Sequence, residues 1–170
     1  LRRLSMINVY IPAKTFSQKI NENKSNYEPF IKNTMQNPHD KFFKETFGNI
    51  ALARDFLTNY IPIEILQATN LDTLQIQKDT FIDENLEESY SDLLFKAEIQ
   101  GKDGYFYFLF EHKSYPERKT ALQLLKYMVE IWSSKSLISK EDELPVIIPL
   151  VIYQGKARWT GPTQFGDLVT

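Results

Sequence analysis

The chain has 170 residues, 42% of them hydrophobic and 14% aromatic, with a net charge of -2. That is enough apolar material for one sizeable core and too little chain for two full domains. Cysteine is absent and the only histidines are His39 and His112, which excludes disulfides, thiolate chemistry and histidine-rich zinc sites. Any metal must therefore be held by carboxylates, which points to a hard cation such as Mg²⁺ or Mn²⁺. No apolar run reaches the roughly 18 residues of a membrane helix, and no apolar stretch follows Leu1-Arg2-Arg3-Leu4 as a signal peptide requires. The expectation is a cytoplasmic protein without a membrane partner.

Residues 1–36 are rich in Asn, Lys and Ser and weakly periodic. They are expected to form an arm, with at most one short helix or strand, outside the core. The domain proper is expected over residues 37–170. Asn37-Pro38 is a helix-start signal, with Asp40 in the first turn and Phe42, Phe43 and Phe47 as an apolar stripe. Gly48-Asn49 breaks or restarts the helix, which then continues through Ala53, Phe56, Leu57 and Tyr60 to Pro62, with a short further turn over 63–68.

Strands are expected over 71–78, 90–100 and 105–113, the second alternating through Leu93, Phe95, Ala97 and Ile99. Gly101-Lys102-Asp103-Gly104 reads as the hairpin turn between the last two. A helix over 117–137 carries Leu122, Leu125, Met128, Val129 and Trp132, expected to face the sheet. The apolar run Val146 to Tyr153 then reads as a buried strand parallel to 105–113. The order is αβββαβ, giving an α/β fold with a mixed four-stranded sheet flanked by helices.

With Gly101 opposite Gly104, the hairpin sets Asp92 opposite Lys113 and Leu94 opposite Glu111. Asp92, Glu111 and Lys113 then share one face at the end of an apolar strand pair, where converging carboxylates need a cation or hydrogen bonds. From pattern alone, an ordinary Asp92–Lys113 ion pair with Glu111 as a bystander fits equally well.

Several motifs carry a family resemblance over most of the chain from Asn37 onward. They are His39-Asp40-Lys41-Phe42-Phe43-Lys44, Tyr90-Ser91-Asp92-Leu93-Leu94-Phe95, Glu111-His112-Lys113-Ser114, and Pro145-Val146-Ile147-Ile148-Pro149 through Tyr153-Gln154-Gly155. Together they resemble the recombination-promoting nuclease / putative transposase family of the PD-(D/E)XK superfamily. The resemblance implies a restriction-endonuclease-like core and a Mg²⁺- or Mn²⁺-dependent DNA endonuclease of mobile elements, with Asp92 and Glu111 as metal ligands and Lys113 as the third catalytic residue. Many members carry Gln in place of Lys113, and members continue beyond the position of Thr170. That leaves a second expectation open, a nuclease-fold module that binds DNA or assembles without cleaving it.

Asp40 on the first helix can supply the accessory carboxylate that many such nucleases use, or simply serve as a first-turn helix charge. Gln123 on the second long helix can point at the scissile phosphate, or be a plain exposed helix position. His112 alternates away from Glu111 and reads as a neighbour of the core; Tyr153 and Trp159 read as packing residues. The sequence leaves homo-oligomerisation open.

Overall fold

The computed structural model describes residues 7–10, 43, 44, 46–77, 92–111, 119–133, 144–153, 159–162 and 166. Five strands form a single mixed sheet. They are β1 (Ile7–Tyr10), β2 (Thr69–Gln77), β3 (Asp92–Ile99), β4 (Lys102–Glu111) and β5 (Val146–Tyr153). Helices α1 (Ile50–Tyr60) and α2 (Ile63–Ala68) precede β2, and α3 (Lys119–Ser133) joins β4 to β5. Across the sheet the order is β1-β5-β4-β3-β2. The pairs β1/β5 and β5/β4 are parallel; β4/β3 and β3/β2 are antiparallel. The expected parallel pairing of β5 with β4 is therefore present, reached through the crossover helix α3.

Local chemistry explains the helix boundaries. Asn49 caps α1, its Oδ1 accepting from the N–H groups of Ala51 at 2.9 Å and Leu52 at 3.4 Å, so the chain restarts helix after Gly48 as expected. Ile61, before Pro62, is extended at φ -83 and ψ 153, which stops the helix where proline crowds the preceding residue.

The sheet is covered on both sides. On one face Phe95, Phe106, Phe108, Leu150 and Ile152 pack against Phe43, Phe47, Ala53, Phe56 and Leu57. On the other, Tyr105, Tyr107, Leu109, Val151 and Tyr153 pack against Ala121, Leu124, Tyr127, Met128 and Ile131 of α3. Trp159 packs beside this second core, its ring 5.2 Å from that of Tyr153. Both residues are packing residues, as the sequence indicated.

Three expectations are corrected. The hairpin turn is Gln100–Gly101, not Lys102–Asp103: Gln100 has φ 53 and Gly101 φ 76, and Ile99 pairs with Lys102. A two-residue turn with positive φ at both positions has the twist that suits the strands it joins. Gly104 serves a different purpose, since a Cβ there would lie 2.6 Å from Ile99 Cδ1. The glycine is a packing necessity inside β4.

The stripe of α3 that meets the sheet is also different. Thr120, Ala121, Leu124, Tyr127, Met128 and Ile131 are buried, whereas Leu122 is 59% and Val129 49% exposed; Leu125 and Trp132 are half-buried. Of the expected stripe, only Met128 is fully buried. Two apolar stripes with helical spacing run along this helix, and periodicity cannot choose between them. The buried one includes the small Ala121, which suits a sheet face lined by the bulky Tyr105 and Tyr107.

Finally, the N-terminal arm does contribute to the sheet, which has five strands instead of four. Ile7–Tyr10 pairs with Leu150–Tyr153. Four residues are too few for a periodicity signal, but an apolar inner strand such as β5 leaves a costly open edge unless something pairs with it. Pro149 lies just before that pairing begins, where no strand among the described residues pairs with it on that side and a missing N–H is tolerated.

Candidate active site

The β3–β4 register fixes the two positions of the expected carboxylate pair. Asp92 stands opposite Leu109, and Leu94 opposite Tyr107. This corrects the expected pairing of Asp92 with Lys113 and of Leu94 with Glu111, because the turn is one that the glycine pattern did not reveal. The partner of each β3 residue moves by four positions along β4, an even number, so the parity of the pleat is retained. Position 111 therefore falls two residues beyond the partner of position 92, a diagonal neighbour at about 7–8 Å between backbones. Glu111 in turn pairs with Tyr153 of β5. Lys113 and Asp40 lie outside the described residues, as does His112.

In register, positions 92 and 111 belong to the series that includes Leu94, Tyr107 and Leu109, the series that packs beneath α3. Two contacts fix how α3 lies on it. The ring of Tyr127 is 5.3 Å from that of Tyr107, and Trp132 Nε1 donates to the carbonyl of Pro145 at 2.9 Å. The helix thus runs antiparallel to β4, with its first turns over the strand end that carries Glu111. Gln123 precedes Tyr127 by one helical turn, about 6 Å back along the axis. That is about two residues of strand, which puts Gln123 level with the Asp92–Leu109 rung.

By helical spacing Gln123 lies on the flank of the buried stripe opposite Trp132, whose Nε1 bonds Pro145 just ahead of β5. It is half-buried, and its Nε2 is shielded from solvent with no hydrogen-bond partner among the described residues. Thr120, one turn earlier, is 1% exposed, with its Oγ1 in the same condition. The sequence gives no sign of Thr120; only the choice of buried stripe reveals it.

Elsewhere the charges are ordinary. At the hairpin end of the sheet, Lys96 Nζ lies 2.6 Å from Asp103, and that hydrogen bond raises the lysine pKa. Burial raises the pKa of Tyr105 nearby. Among the described side chains there is no group of three or more Asp, Glu, His or Cys able to hold a metal ion. A cation at positions 92 and 111 would be held by carboxylates, a donor set suited to Mg²⁺ or Mn²⁺. No helix among the described residues is long and apolar enough to cross a membrane.

Comparison with known proteins shows the family. The chain is 34% identical over 120 residues to the recombination-promoting nuclease RpnC of Escherichia coli K12, covering 71% of this chain and 40% of that protein. It is 31% identical over 122 residues to the recombination-promoting nuclease RpnD of Escherichia coli O157:H7, covering 72% of this chain and 47% of the relative. A third relative, 33% identical over 123 residues, is the inactive recombination-promoting nuclease-like protein RpnE of Escherichia coli K12, with 72% and 41% covered. The chain thus spans less than half the length of these curated relatives. No solved structure matches. Residues 37–170 match the family described as putative transposase, YhgA-like, and the chain belongs to that family.

Proposed function

We propose that this chain is a metal-dependent DNA endonuclease built on a restriction-endonuclease-like core, acting in the cytoplasm in recombination or the movement of mobile elements. The observation that carries the reading is the β3–β4 register, which makes Asp92 and Glu111 diagonal neighbours at one end of the sheet. The names of the relatives RpnC and RpnD as recombination-promoting nucleases support DNA as the substrate.

In this reading the carboxylates of Asp92 and Glu111 provide the oxygen donors of the metal site, with Asp40 as an accessory carboxylate. Bound there, Mg²⁺ or Mn²⁺ would supply a water of lowered pKa and neutralise charge on the phosphate. Lys113, two residues beyond Glu111, orients that water or donates to the oxyanion that develops on phosphorus. Hydrolysis would join the water oxygen to phosphorus and break the bond to the leaving sugar oxygen, the proton lost by the water balancing the one taken up by that oxygen. The test is relaxation of supercoiled plasmid with Mg²⁺ or Mn²⁺. Activity should appear with metal and stop on chelation; activity that resists a chelator contradicts the reading.

A second reading is a nuclease-fold module that binds DNA or assembles, as a homo-oligomer or with other proteins, without cleaving. The relative named as inactive, RpnE, favours it, since 33% identity to it matches the 34% and 31% identity to the named nucleases. DNA binding without plasmid relaxation under any divalent metal is the outcome that selects it.

A further inference from the structure

Helix α3 carries more apolar surface than the sheet uses. Its buried stripe, Ala121, Leu124, Met128 and Ile131, packs on the sheet. A second series, Leu122, Leu125, Val129 and Trp132, looks outward: Leu122 and Val129 are exposed, and Leu125 and Trp132 are half-buried. The spacing of three, four and three residues is that of the a and d positions of two heptads, the seam by which one helix packs against another. One end of the seam is held ready, because Trp132 Nε1 donates to the carbonyl of Pro145 and so fixes the indole. Lys126 and Glu130 border the seam on one side, the first exposed and the second half-buried.

We propose that this seam pairs α3 antiparallel with the same helix of a second copy of the chain, forming a weak twofold homodimer. Two features select a second copy as the occupant. The three-four-three spacing reads the same in both directions, so an inverted copy meets it layer for layer. With the axis between Leu125 and Val129, Leu125 faces Val129 of the second copy and Leu122 faces its Trp132. The charges match under the same axis. Lys126 of one copy comes within about 3 Å along the helix of Glu130 of the other, and the twofold makes that contact twice. Within one chain this pair is long: Lys126 Nζ is 3.8 Å from one Glu130 oxygen, and the other oxygen is shielded without a partner among the described residues. A membrane or nucleic-acid surface would ask for cations alone beside the seam, and here a carboxylate stands next to the lysine. Two heptads bury less than the roughly 1,200 Å² of a stable complex, so the dimer forms and dissociates with concentration. The seam faces away from the sheet, and its pairing does not depend on the nuclease reading.

Sedimentation velocity of the full chain over about 1–300 µM reads the association. Wild type should pass from monomer to dimer and no further. Val129→Lys puts a charge into the seam and should weaken the dimer about tenfold or more. At low concentration it should melt as wild type does, because residue 129 is exposed in the single chain. Lys126→Glu should weaken the dimer too, and the charge-swapped Lys126→Glu/Glu130→Lys should restore it, a recovery that contact across the axis provides. A wild type that stays monomeric throughout, a dimer indifferent to Val129→Lys, or growth beyond two copies overturns the assignment. So does a charge-swapped chain that dimerises no better than Lys126→Glu.

Discussion

Asp92 stands directly opposite Leu109 across the β3–β4 hairpin, so Glu111 falls two residues beyond its partner while sharing its pleat parity. Leu109 is fully buried beneath α3. The candidate site therefore begins where the apolar core ends, at the end of the strand pair remote from the turn. A carboxylate taken out of water without a partner is costly, and a bound cation offsets that cost.

The turn that sets this register depends on two glycines for different reasons. Gly101→Ala should cost about 1 kcal/mol, because an L side chain is strained at φ +76 even though the space is open. Gly104→Ala should cost about 1–3 kcal/mol by overpacking against Ile99, and Ile99→Ala should rescue part of that loss but none of the first. Urea denaturation of the single and double variants measures both.

The orientation of α3 gives a second test. Leu124 is fully buried and Leu122 is 59% exposed. Leu124→Ala should destabilise by about 2–5 kcal/mol, and Leu122→Ala by about 0.5 kcal/mol or less. Equal losses would mean that the helix is rotated on the sheet.

How far the sequence reaches can be judged from these elements. The alternation through Leu93, Phe95, Ala97 and Ile99 and the apolar run from Val146 give β3 and β5 directly, and Asn49 and Pro62 give the limits of α1. The turn does not follow, because Gly101 and Gly104 look alike in sequence while one supplies a positive φ and the other makes room for Ile99. The face of α3 does not follow either, since Leu122–Leu125–Val129–Trp132 and Ala121–Leu124–Met128–Ile131 are both helical stripes. At the candidate site, the shared parity of positions 92 and 111 survives the turn error only because the shift is even. Thr120 needs the tertiary packing before it is visible at all.

β1 covers the outer half of β5, from Leu150 to Tyr153. Deleting residues 1–10 should lower the melting temperature and promote aggregation, because it leaves a paired backbone edge open beside an apolar strand. Light scattering during a thermal melt checks this; a truncated chain that melts like the full one would make β1 dispensable.

The Lys96–Asp103 pair predicts a modest pH dependence. The lysine pKa is raised in the folded state, chiefly by its hydrogen bond with Asp103, so its contribution is fully present below the ordinary lysine pKa and is lost as pH rises through the raised one. The pair is partly exposed, so the effect should be a few tenths of a kcal/mol. Asp103→Asn should be slightly less stable than wild type at neutral pH, and the difference should vanish at pH beyond the lysine range.

The central claim is that Asp92 and Glu111 hold one divalent cation, and thermal melts with Mn²⁺ test it most directly. A ligand that binds only the native state at ten times its Kd stabilises by about 1.4 kcal/mol, or about 3–6 °C for a chain of this size. Wild type should show that rise, while Asp92→Ala and Glu111→Ala should lose most of it and melt no lower than wild type in the absence of metal. A wild type whose melting temperature ignores Mn²⁺, or a shift that survives in both variants, contradicts the account.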